Sequence, residues 1–130
     1  SYAARYGTPP NGWTVLEDVF VTFDNEYGDY QRNQEGTLTA PSYGTNRRHF
    51  GPEVGFGFEM ADLAIANGVC ASIVLVKTAG VAALAKEWNA PDGAFFQEMM
   101  EDVEDALDRV EEITRSLSNA TAVFAGVVWF

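Results

Sequence analysis

The run VCASIVLVKTA, residues 69–79, is continuously apolar for most of its length and is bounded by Gly68 and Gly80. Alternating strands of half-exposed sheets break such a run with polar residues, so an unbroken one reads as a strand buried on both faces of a parallel sheet. A parallel neighbour needs a crossover connection, and the crossover is right-handed when it is a helix. The flanks of the run therefore decide the fold.

Upstream lies GPEVGFGFEMADLAIANG, residues 51–68. Pro52 suits a first helical position, Glu53 suits the positive end of a helix, and Asn67 with Gly68 supplies a left-handed stop. Gly55 and Gly57 each weaken the helix by ~1 kcal/mol relative to alanine, which points to close packing against a neighbour. Downstream, residues 80–94 form a connection with room for one helical turn before Pro91, and Asp92 stands where a cap for the next helix is wanted. That helix, residues 94–119, places Phe96, Met99, Val103, Ala106, Leu107, Val110, Ile113 and Leu117 at spacings of three and four. Asn119 ends it, and TAVFAGVVWF, residues 121–130, reads as a further strand.

Before all of these comes WTVLEDVFVTF, residues 13–23, whose β-branched and aromatic residues alternate as a strand. Residues 24–50 carry three glycines, one proline and three tyrosines without helical period, and read as a long loop holding at most a short hairpin, a candidate lid or substrate rim. Gly7, Pro9, Pro10 and Gly12 make the first 14 residues an extended lead-in. The order strand, helix, strand, helix, strand predicts one α/β domain over residues 1–130, a three-layer parallel sheet flanked by helices, flavodoxin-like and incomplete. Its last strand is expected to need a neighbour, so the chain reads as an interior piece of a larger protein, or one that forms a homo-oligomer through that strand.

An apolar share of 47% and an aromatic share of 13% are those of a folding chain. With 19 acidic against 8 basic residues and a formal charge of -11, the surface repels phosphate backbones and anionic headgroups. Nucleic acid and membrane surfaces are accordingly excluded as expected partners. No stretch reaches the ~20 apolar residues of a membrane span, and the polar start SYAARYGTPPNG is no signal peptide. Glu98, Glu101, Asp102, Glu104, Asp105, Asp108, Glu111 and Glu112 read as the solvated face of the long helix. Cys70, the single cysteine, reads as a small buried filler.

The glycines of GFGFEM do not follow a strand, and KTAGVAAL lacks a phosphate-loop pattern, so no nucleotide cofactor is indicated. One histidine and one cysteine far apart give no metal site. His49, in RRHFGPE, is the single imidazole available as a base, and no serine stands in a Gly-x-Ser-x-Gly elbow.

Taken in order, HFGPEVGFGFEMAD, IVLVKTAG, LAKEW, FFQEMMEDVEDAL and FAGVVWF resemble the sialate O-acetylesterase and acetylxylan-esterase-like carbohydrate esterases of the SGNH hydrolase superfamily, over residues 15–130. The resemblance implies a flavodoxin-like sheet and a serine hydrolase that removes acetyl or other acyl groups from sugars, often secreted or periplasmic. It also implies that the nucleophilic serine of a Gly-Gln-Ser-Asn motif, a Gln-Gly-Glu block and the catalytic Asp and His lie outside these residues, leaving this chain inactive alone. The family's glycine pair after Lys-x-Ala maps onto Gly80 and Val81, with Gly80 matching and Val81 departing, as candidate oxyanion donors. Tyr43, His49, Glu53 and Trp88 are the expected substrate contacts. The rival expectation is a non-catalytic module that self-associates or binds sugar.

Overall fold

The computed structural model describes residues 2–7, 12–24, 34–39, 51–79, 85–115 and 121–128. A short helix α1 (Tyr2–Tyr6) leads into strand β1 (Val15–Asp24), followed by β2 (Gln34–Thr39), α2 (Pro52–Ala66), β3 (Ile73–Thr78), a 3-10 turn (Ala85–Trp88), α3 (Ala94–Asp108) and α4 (Val110–Thr114). The domain is mixed α/β. Its sheet runs β2-β1-β3, with β1 and β3 parallel and β1 and β2 antiparallel.

The alternation of β1 explains the two layers. Val19 and Val21 face α2 and form a core with Leu38, Val54 and Phe58, on which Ile73 and Leu75 pack. Phe20 faces the other way and joins Ala106 and Ile113, with Val74 and Val76 beside them. Successive residues of each strand thus enter opposite faces, with α2 on one and α3 and α4 on the other. Tyr6 meets Phe58 edge-on at 4.8 Å, and Arg5 binds Glu59 and Asp62 of α2, which docks α1 on the same layer. Tyr2–Tyr6 is thus helical where an extended lead-in is expected from the sequence, because these tertiary contacts hold a turn that local propensity would not.

α2 begins at Pro52 and is capped by Asn67, with Gly68 following at φ +66°, as its end signals dictate. The two glycines differ. A Cβ on Gly57 would overlap Leu38 and stand 3.2 Å from Leu75 and 3.4 Å from Val19, whereas one on Gly55 would meet nothing within 4 Å. Close packing accounts for Gly57 alone.

Four further expectations are corrected. Gln34–Thr39 of the anticipated loop is a strand, because Leu38 is driven into the core and the neighbouring threonines suit a pleat. The parallel ladder starts at Val19 opposite Ile73, and β1 is irregular between Leu16 and Phe20. Residues 69–72 precede that ladder and belong to no strand, and Cys70 is exposed rather than buried. We therefore expect Cys70 to react with a thiol reagent in the native protein at close to the rate of the unfolded chain; protection by more than tenfold would contradict its placement.

The long helix breaks at Arg109, is capped at its start by Gly93 rather than Asp92, and ends in left-handed Arg115. Phe95 rather than Phe96 is its buried phenylalanine, and Leu107 of the expected stripe is exposed; Leu117 and Asn119 lie outside the described residues. Arg109 binds Asp105, Glu112 and, across the sheet, Glu35 of β2, and this trio holds its guanidinium well above the ordinary range, Asp105 contributing most. The side chains are substantially solvated, so Arg109→Ala should cost about 1 kcal/mol or less, and less still in high salt, as read from a denaturant midpoint.

The fourth correction is the largest. Residues 121–128 form no strand, and Val123, Phe124, Val127 and Val128 are exposed. The third strand of the sheet is β2, antiparallel, and not the segment after α4. Among the described residues no third parallel strand lies beside β3, so the sheet order lends no support to the esterase resemblance. The α3–α4 crossover runs from β3, where Asp102 meets Thr78, back to β1, where Ile113 meets Phe20, and it does not lead outward to a new edge.

Candidate functional site

Parallel strands of an open α/β sheet bring their carboxyl ends to one side, and ligands commonly bind just beyond them. Here the shared end is formed by Phe23 and Asp24 of β1 opposite Lys77 and Thr78 of β3. Because neighbouring side chains alternate, Lys77 enters the α2 layer and Thr78 the α3 layer. Each finds a carboxylate.

On the α2 side, Lys77 Nζ donates to Glu53 Oε2 at 3.0 Å, and the Gly51 N–H donates to Glu53 Oε1 at 2.8 Å. Glu53 thus reaches back to the backbone N–H at the start of its own helix, as a capping-box carboxylate does, while it neutralises a lysine from the sheet. Its side chain is only 5% exposed and that of Lys77 19%. The Lys77 ammonium also sits 4.5 Å from the ring centre of buried Phe23, a cation–π contact. Gly51 leaves the room: a Cβ there would press on Glu53 Oε2 and come within 3.0 Å of Lys77 Nζ.

On the α3 side, the Thr78 hydroxyl donates to the Asp102 carboxylate. Asp102 is half-buried, so one member of the acidic row serves the sheet, unlike exposed Glu101, Glu104, Asp105 and Asp108. Among the described residues no buried side-chain nitrogen or oxygen lacks a partner. The end of β3 is consequently fixed from both layers just before residues 79–82.

Of the sequence-predicted site residues, Tyr43, His49, Gly80 and Val81 lie outside the described residues. Glu53 is described, and each of its oxygens accepts a hydrogen bond within the fold, from Lys77 and from Gly51, so it braces the end of β3. Trp88 is half-buried and stacks on Phe95, ring centres 5.2 Å apart and 24° from parallel, so the contact fastens the 3-10 turn to α3. Sequence reasoning missed Lys77, Thr78 and Asp102. The signal for Lys77 was present, since one charge inside a buried apolar run requires a partner; the signal for Asp102 was masked by the acids around it.

Among the described residues no three His, Cys, Asp or Glu side chains gather as a metal site, and no helix is long and apolar enough to cross a membrane. No family model, curated protein or solved structure matches the chain.

Proposed function

We propose that this chain is the oxyanion-side part of a carbohydrate esterase of the SGNH type, with a flavodoxin-like sheet in the whole enzyme. One observation carries the reading. Three of the segments that resemble that family, far apart in sequence, are joined at the carboxyl end of β3, one on each of its faces: Glu53 of HFGPEVGFGFEMAD holds Lys77 of IVLVKTAG from the α2 side, and Asp102 of FFQEMMEDVEDAL holds Thr78 from the α3 side. The last of the five, FAGVVWF, lends no such support.

In this reading a serine supplied by the remainder of the enzyme attacks the acyl carbon of a sugar ester, and a histidine takes the serine proton and passes it to the departing sugar oxygen. The negative charge that develops on the acyl oxygen is met by backbone N–H groups at Gly80 and Val81. Such donors work only when held in place beforehand, and losing one costs a factor of ~100 to 1,000 in turnover. Clamping Lys77 and Thr78, immediately upstream, is what would hold them.

The test is direct. The coding sequence flanking these residues is expected to specify Gly-Gln-Ser-Asn upstream and Gln-Gly-Glu downstream, and the chain alone should not hydrolyse p-nitrophenyl acetate above background. Turnover by the pure chain that His49→Ala abolishes would overturn the reading in favour of a self-contained site. A second reading, a non-catalytic module that associates with itself, is favoured by the exposure of residues 121–128.

A further inference from the structure

We propose that this chain forms a two-fold dimer in which residues 121–128 of each copy add as a strand to the free edge of the other copy's β3. The acceptor follows from the sheet order. β1 occupies one edge of β3, and among the described residues no strand occupies the other. α2 and α3 pack on the two faces of β3, and all six of its residues are half-buried. Backbone N–H and C=O groups on a strand edge that faces no other described strand are a template for a further strand.

The donor is in the same chain. TAVFAGVV, residues 121–128, holds β-branched and aromatic residues and no charge or proline of the kind that guards against pairing. It belongs to no helix or strand, and Val123, Phe124, Val127 and Val128 are 83%, 58%, 59% and 51% exposed. Leu63, Ile65 and Val69, in the stretch of chain that leads into β3, are also exposed.

A second copy is the occupant because donor and acceptor then satisfy each other reciprocally in a closed, isologous arrangement with no strand left over. Two exchanged eight-residue segments would bury on the order of 1,500 Å², which is what a stable interface needs. Each copy carries a formal charge of -11, so the copies repel and the dimer should tighten as salt is added.

Sedimentation equilibrium of the full chain tests this. A monomer–dimer equilibrium is expected, with at least tenfold weaker association for Phe124→Asp/Val127→Asp. Both sites are exposed in the monomer, so its circular dichroism should not change. The unique Cys70, three residues ahead of β3, reports the geometry. A nitroxide on Cys70 of an unlabelled copy should broaden the amides of residues 121–128 in a nitrogen-15-labelled Cys70→Ser copy. A monomer at every concentration and salt, a dimer indifferent to the double substitution, or broadening of those amides only within one copy would each overturn the proposal. None of these outcomes bears on the flanking coding sequence, so the esterase reading stands or fails separately.

Discussion

Glu53→Ala should lower the unfolding free energy by about 3 to 5 kcal/mol, the usual consequence of removing one partner of a buried ion pair. Lys77 would be left largely desolvated without its carboxylate, and the Gly51 N–H would lose its acceptor. A domain of this size commonly has only ~5 to 15 kcal/mol of stability, so the variant should lose a large fraction of it and unfold at a clearly lower urea midpoint. Glu53→Leu/Lys77→Met should recover most of the loss, because apolar residues of similar volume replace a buried pair at little cost. Equal destabilisation by the double and single variants in urea would show that the pair is not coupled. In the whole enzyme of the proposed reading, the double variant should fold yet turn over at least tenfold more slowly, with KM little changed, since it removes a support for the donor turn and no substrate contact.

The two glycines of α2 should respond with opposite signs. Gly57→Val puts branched carbon where Leu38, Leu75 and Val19 already pack, and overfilling of that kind costs about 1 to 3 kcal/mol or more. Gly55→Ala places its methyl in open space and should stabilise by about 1 kcal/mol through helix propensity alone. Thermal unfolding of the two variants side by side reads the contrast. If both stabilised, α2 would not lie against β1 and β3 through Gly57.

That contrast also marks how far sequence reasoning reaches. Helix α2, strand β1 and the parallel placement of β3 are legible because hydrophobic period and end signals act locally: Pro52, Asn67 and Gly68 bound a helix whatever surrounds it. Which glycine packs is not a local property, so Gly55 and Gly57 look alike until the sheet is in place. β2 escaped notice because Leu38 is its single large apolar residue, and its strand character comes from pairing with β1. The segment at residues 121–128 was misread in the opposite direction: high strand propensity is no more than an offer to pair, and within one copy the α3–α4 crossover leads back over β1. The candidate site was half legible. Glu53 was singled out for its position, while its role became clear only when the lysine of the apolar run was placed opposite it.

Solution NMR of the full chain gives the most direct measurement of the strand end held from two sides. Cross-strand contacts between the backbone protons of Val21 and Leu75, and of Phe23 and Lys77, should appear together with slow exchange of those amides, and with contacts from the Lys77 side chain to the Phe23 ring. Contacts from β3 to residues 121–128 of the same copy in place of β1, or a Lys77 side chain without contact to Phe23 or Glu53, would contradict it.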